Sequence, residues 1–166
     1  MNTRIARRGA LAIALLTFGL ARSASAQTST TQSVTVAVNA INQIAFTGSP
    51  SLTITTAAAG SNPTSVSDAS ATWAVTTNQT GAKITGSIAS ALPAGITLSV
   101  SLAAPTGGAV SAGSQALGTT AVDLVTGITK LAQGSLGVTY TLSATAAAGV
   151  LSSTPRVVTY TITGGT

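Results

Sequence analysis

The sequence predicts an all-β fold, an antiparallel immunoglobulin-like β-sandwich of about seven to nine strands. In many short segments apolar residues alternate with Thr, Ser and Gly, and this period of two is typical of half-buried strands. Turn residues separate the segments at fairly even spacing, and no segment of adequate length shows helical periodicity. An all-β membrane protein, the alternative, would carry aromatic residues at both membrane interfaces, whereas only four aromatics follow residue 26.

Residues 1–26 predict a cleaved secretory signal peptide. Three arginines within residues 4–8 precede the apolar run at residues 10–20, and residues 24–26 (Ala-Ser-Ala) have the small-x-small pattern that signal peptidase cuts. The apolar run is too short to span a bilayer comfortably. We therefore expect one domain over residues 27–166, located outside the cytoplasm: secreted, extracellular or at the cell surface, with the periplasm as an alternative.

The charge of residues 27–166 argues against nucleic acid as a partner. Four of the seven basic residues lie in the predicted signal peptide. The rest of the chain holds Lys83, Lys130 and Arg156 against Asp68 and Asp123, a net charge of +1. No basic patch is available for phosphates, and too few aromatic side chains are present to stack on bases. Solubility would depend on Ser, Thr, Asn and Gln, unless neighbouring subunits cover much of the surface.

The first half of the domain predicts four strands joined by turns and loops. They are residues 34–38, in which valines alternate with Thr and Ala, then 52–55, then 72–76, then 82–88. A long loop is expected over Ala57–Ala71 and a hairpin turn over Asn78–Gly81. The turn explains Asn78-Gln79-Thr80 better than glycosylation does. We expect Trp73 to fill the core rather than to bind a sugar.

The second half predicts stronger strands, which end the chain. Ile96–Leu102 alternates most regularly, and residues 116–119 and 121–125 predict weaker strands. Two alternating runs follow, at residues 136–144 and 157–163, and they carry both tyrosines of the domain. Pro155 precedes the second run, where a missing N–H is tolerated.

The residue types present do not favour an enzyme. The chain has no His, no Cys and no Glu, so the usual general base, thiol nucleophile and most zinc or iron ligands are missing. No Ser lies three residues before Lys83 or Lys130, as a common Ser–Lys motif requires. We expect no catalytic residue, no cofactor and no metal site. Asp68 is expected to form a turn, with a calcium ligand as the alternative.

In layout the chain resembles secreted bacterial fimbrial-type β-sandwich subunits, such as the spore-coat-U-like proteins. The shared features are the signal peptide, the alternating segment Val34–Val38 and the terminal strand VVTYTIT at residues 157–163. The resemblance implies that an N-terminal strand of one subunit completes the sandwich of the next by strand addition. Many such subunits contain a disulfide, which this chain lacks.

Position and pattern together predict a donor strand at Ser33–Asn39, which would insert beside the terminal strand of a neighbour. The donor row is Val34, Val36 and Val38, and the acceptor row is Val158, Tyr160 and Ile162. An apolar row left in water is a sticky edge that secreted proteins normally avoid. The sequence leaves a second hypothesis open, in which the segment folds back into its own sandwich.

On these grounds we expect a secreted, non-catalytic structural or adhesive protein, a subunit of an extracellular fibre or surface layer. Its expected partners are further copies of itself or other cell-surface proteins, and no segment of the mature chain is expected to cross a membrane. The alternative is a monomeric secreted binding module that holds a ligand in its long loops, Ala57–Ala71 and Ala103–Gly113.

Overall fold

Nine antiparallel strands form the protein, for which a computed structural model describes residues 27–166. The strands are β1 (Asn42–Thr47), β2 (Val66–Thr77), β3 (Ala82–Ile88), β4 (Ile96–Leu102), β5 (Val110–Ser111), β6 (Gln115–Ala116), β7 (Val122–Ile128), β8 (Leu131–Ala144) and β9 (Val158–Thr163). Residues 27–37 belong to a unit separate from Val38–Thr166. The predicted signal peptide lies outside the described residues. The predicted all-β sandwich is confirmed.

Two sheets make up the sandwich. One has the strand order β1-β2-β8-β4-β6, and the other has the order β5-β7-β3-β9. The two-residue strands β5 and β6 each end one sheet, and β1 and β9 end the opposite edges. Within residues 27–166 the only helical element is a 3-10 turn at Ala146–Ala148, and no helix is long and apolar enough to cross a membrane.

The core consists of the inward-facing row of each long strand. Its buried apolar residues are Ala71, Trp73, Val75, Ala82, Ile84, Ile88, Leu98, Val100, Leu102, Leu117, Leu124, Val125, Ile128, Leu136, Val138 and Tyr140. Trp73 is 1% exposed, and its Nε1 donates a hydrogen bond to the carbonyl oxygen of Ala103 at 3.2 Å. The prediction that Trp73 fills the core is therefore confirmed.

Two predicted strands are absent from the described sheets. Residues 34–38 form no strand, and the first strand begins at Asn42 instead. Residues 52–55 alternate between half-buried and exposed side chains but belong to no ladder. The backbone N–H of Ser51, next to this segment, donates to a side chain and not to a neighbouring strand: its acceptor is Asp68 Oδ2 at 2.9 Å. A side-chain acceptor there takes the place of a strand partner.

Other predicted boundaries change as well. The loop predicted over Ala57–Ala71 is shorter, because β2 already begins at Val66. The turn predicted at Asn78–Gly81 is present between β2 and β3, but these strands lie in different sheets, so the connection is not a hairpin. The weaker predicted strands correspond to the short β6 and to β7, whereas Ile96–Leu102 is confirmed with its predicted bounds.

We predict that Trp73→Ala destabilises the protein by about 3–5 kcal/mol, because it removes the largest buried side chain and leaves a cavity. Urea unfolding followed by circular dichroism measures the change. Thr76→Ala, an exposed position on the same strand, is the control and should change stability by less than about 0.5 kcal/mol. Equal effects of the two substitutions would contradict this account of the core.

Candidate functional site

The candidate site is the free edge of β9. Among residues 27–166 this strand pairs with β3 alone, from Lys83↔Thr163 to Ile88↔Val158, and it ends the four-stranded sheet. The Ala89 N–H donates to the Val157 carbonyl at 3.3 Å, so the polar backbone groups of Val157 point toward β3. Because these groups alternate in direction along a strand, those of Val158, Tyr160 and Ile162 point to the free edge.

The same three residues form the inward row of β9, and the core covers them only in part. Val158, Tyr160 and Ile162 are half-buried, whereas Ile84 and Ile88 on the adjacent β3 are buried. The acceptor row predicted from the sequence therefore lies on an edge strand, with its apolar side chains and its unpaired backbone groups presented together.

Strand β1 continues this incompletely covered region in the opposite sheet. Ile44 and Phe46 of β1 are also half-buried and pack against the core. The ring of Phe46 stacks on that of Tyr160, with centroids 3.8 Å apart and planes 12° apart. The side of the sandwich that carries β1 and β9 is thus closed by one aromatic stack and has a free strand edge in each sheet.

A pair of hydroxyl groups joins the sheets beside the aromatic stack. The Tyr140 and Tyr160 hydroxyl oxygens lie 2.6 Å apart in a hydrogen bond that either group can donate. Burial, and then the hydrogen bond to Tyr140, raise the pKa of Tyr160 well above its ordinary value of 10.0, so this phenol stays neutral at any physiological pH. The acceptor row therefore offers no charge to a partner.

The predicted donor row is exposed and carries no partner strand. Val34, Val36 and Val38 are 73%, 85% and 84% exposed. Residues 34–38 form no strand in the described chain, and both hypotheses for this segment, insertion beside the terminal strand of a neighbour and folding back into its own sandwich, stay predictions.

Asn78 fixes the point at which the chain enters the sandwich. Its Oδ1 accepts a hydrogen bond from the Ile41 N–H at 2.8 Å, and its Nδ2 donates to the Asn39 carbonyl at 2.8 Å. The Asn78 N–H also donates to the Ile41 carbonyl at 3.2 Å. We call Asn39, Ile41 and Asn78 the clamp. The sequence predicts Asn78 in a turn and carries no signal of this role, because Asn39 and Asn78 lie 39 residues apart.

An open depression lies next to the clamp. Its volume is about 360 Å³, and it is lined by Ile41, Thr76, Thr77, Asn78, Lys130, Leu131 and Ala132. Ile41 is 40% exposed, although it is a large apolar side chain. The depression combines apolar side chains with a single cationic residue, Lys130.

Asp68 lies within β2 and not in the loop for which a turn was predicted, and its carboxylate bonds the residue two positions on at an irregularity of the strand. Its carboxylate accepts hydrogen bonds from the Ser51 N–H, the Ser70 N–H and the Ser70 hydroxyl, at 2.9, 2.8 and 2.6 Å. The bond from the Ser70 hydroxyl, followed by the two backbone bonds, lowers the pKa of Asp68 below its ordinary value of 3.8. Oδ1 accepts both Ser70 bonds at the irregularity of β2 between Asp68 and Ala71, and Oδ2 accepts the bond from Ser51.

The loops proposed for a binding module lie apart. In the first loop, Asn62 accepts a hydrogen bond from the Ala146 N–H, just beyond the last residue of β8. In the second loop, the Thr106 N–H donates to the Gln133 side chain, near the first residue of β8. The structure therefore does not bring residues 57–65 and 103–109 together into one site. Among residues 27–166, no three acidic, His or Cys residues cluster in a way that could hold a metal ion.

Comparison with protein-family models, with curated proteins and with solved structures finds no match to this chain.

We predict that Tyr160→Phe destabilises the protein by about 1–3 kcal/mol, because the buried Tyr140 hydroxyl loses its partner. The double variant Tyr140→Phe/Tyr160→Phe should lose less than the sum of the two single variants, since it leaves no unpaired hydroxyl. Urea unfolding of all four proteins gives the coupling. Additive losses would show that the hydroxyl pair does not join the sheets.

We predict that Asp68 makes stability depend on acid. Its pKa is lower in the folded chain, so its contribution is complete above pH 3.8 and is lost as the pH falls through the lowered value. Unfolding midpoints measured from about pH 7 to about pH 2 should fall less steeply for Asp68→Asn than for the unmodified protein. Asp123→Asn, which removes only an exposed ion pair with Lys83, is the control. An unchanged slope in Asp68→Asn would refute this role.

Proposed function

We propose that this chain is a secreted, non-catalytic structural subunit, which assembles with copies of itself into an extracellular fibre or surface layer by β-strand addition. The donor is Ser33–Asn39 of one subunit, and the acceptor is the free edge of β9 in the next. The observation that carries the proposal is the match between an exposed apolar strand-like segment and an incompletely covered strand edge in the same chain.

The two surfaces correspond in chemistry. The donor has apolar side chains at every second residue, and β9 has half-buried apolar side chains at every second residue. Neither row carries a charge. An added strand beside β9 would satisfy the outward backbone groups of Val158, Tyr160 and Ile162, and it would cover their side chains.

Apolar burial and backbone pairing are the terms that favour the contact. Burial of the three donor valines contributes roughly 1.5–3 kcal/mol each, and pairing of the backbone adds to this. Ordering of the donor segment and loss of subunit freedom oppose binding. The opposite side of the sandwich is less suited to strand addition, because β5 and β6 are only two residues long.

The uncharged surface supports the same proposal. Residues 27–166 contain five charged residues, and solubility rests on Ser and Thr instead. A soluble monomer usually carries several times that fraction of charge, whereas a subunit largely covered by neighbours needs less.

We predict that deletion of residues 27–38 abolishes assembly while it preserves the clamp and the fold. A free peptide of residues 33–39 should then bind the truncated monomer and raise its melting temperature as its concentration rises. Sizing chromatography, negative-stain microscopy and thermal unfolding measure these effects.

A matched pair of full-length variants tests the row itself. Val34→Ser/Val36→Ser/Val38→Ser should lose assembly, whereas Thr35→Ser/Ala37→Ser, on the other face of the same segment, should keep it. Assembly that persists after the deletion would overturn strand addition. A monomer at high concentration from the unmodified chain would overturn the subunit role as well and favour a monomeric binding module.

A further inference from the structure

The sandwich has two distinct ends. At one, which we call the clamp end, β1 begins, β2 ends, β8 begins and β9 ends, next to the clamp and the depression. At the other, the far end, β2 begins, β8 ends and β9 begins, so that the connection Thr145–Val157 lies there. The Thr145 N–H donates to the Gly95 carbonyl at 2.8 Å, which ties this connection to the end of the sandwich where β4 begins.

The tip of this connection is apolar and exposed. Val150 is fully exposed and Leu151 is 41% exposed. No strand includes them, and no charged residue lies between Thr145 and Pro155. The tip therefore offers two neighbouring apolar side chains to a partner.

No flexible linker separates the donor segment from the clamp. Asn39 accepts a hydrogen bond from Asn78. Val38, the last residue of the donor row, directly precedes Asn39 in the chain. Ile41, two residues after Asn39, lines the depression. A neighbour that holds the donor along its β9 edge must therefore lie directly against the clamp end, with the depression at the junction.

The direction of the donor decides which end of the neighbour arrives there. In antiparallel pairing, with Val36 opposite Tyr160, Val38 lies opposite Val158 and the neighbour presents its far end. In parallel pairing the neighbour presents its clamp end, and two copies of Lys130 approach each other. Like charges in such a junction are unfavourable. The Asn42 side chain also lies against Gly164 beyond the end of β9, which narrows the approach from the clamp end.

We propose that the depression at the clamp end receives the Val150–Leu151 tip of the next copy. This inference rests on the proposed strand addition, and it identifies a second contact between the same two subunits. The occupant is a second copy of this chain, whose apolar tip packs against Ile41 and Leu131. The contact joins two different surfaces, so it is head-to-tail and repeats from copy to copy, giving an open fibre where its rotation does not close a ring, rather than an exchanged dimer.

The absence of cysteine from the chain allows a direct test by disulfide formation. Val150→Cys and Ala132→Cys, an exposed residue of the depression, are prepared as separate full-length proteins, mixed, allowed to assemble and mildly oxidised. We expect disulfide dimers that contain one copy of each variant, and we expect them to be lost when residues 27–38 are deleted. A mixture of Val110→Cys with Ala132→Cys, which uses an exposed valine on β5, is the matched control and should give none.

Any other result contradicts docking of the Val150–Leu151 tip in the depression. The results also show whether the docking alone fails or the proposed strand addition fails with it. Dimers between two copies of Ala132→Cys would show that clamp ends meet, while strand addition survives in parallel form. Assemblies that form without a disulfide between positions 150 and 132 would refute the docking and leave strand addition standing. If even the unmodified chain does not assemble, both proposals fail.

Discussion

The pairing of β2 with β8 is the interaction on which the rest of the sandwich depends. These are the two longest strands, and together they carry Trp73, Val75, Leu136, Val138 and Tyr140 into the core. β8 also pairs with β4, so three strands of one sheet share a continuous inward face. The core thins toward β1 and β9, because each of these edge strands has only one partner and a half-buried inward row.

Hydroxyl groups form the cross-strand pairs on the outer face of this protein that charged side chains form on many other domains. On the outward face of the larger sheet, Thr47 bonds Thr72 and Ser67 bonds Thr141, each across neighbouring strands at 2.8 Å. Such pairs stabilise a sheet locally and need no counter-ion. These outward hydroxyls already pair with one another, so the features without a partner within residues 27–166 are apolar: the valines of residues 34–38, the edge of β9 and the tip at Val150.

The sequence was most informative where alternation and burial coincide. Ile96–Leu102 was predicted with its observed bounds, because it pairs on both sides, with β8 and β6, and buries its inward row from Leu98 to Leu102. The same alternation at residues 34–38 predicted a strand that the described chain lacks, since a period of two shows only that a segment is able to bury one face. The sheet to which a strand belongs is a non-local property, which is why Asn78–Gly81 was predicted as a hairpin turn and instead joins two sheets. Of the candidate site, both apolar rows were predictable, whereas the clamp and the depression depend on contacts between distant residues.

The clamp fixes the position at which the N-terminal segment leaves the sandwich. An apolar strand segment attached through a flexible linker can fold onto any nearby edge, including that of its own domain. Here Asn78 holds Asn39 and Ile41 with hydrogen bonds from both its side chain and its backbone, so the chain direction is set at the residue that follows Val38. Under the proposed strand addition, a donor fixed in this way could not slide along its acceptor without moving the whole subunit. Register between strands, which is weakly specified in a flat polar edge, would then be enforced by contact between the ends of the two sandwiches.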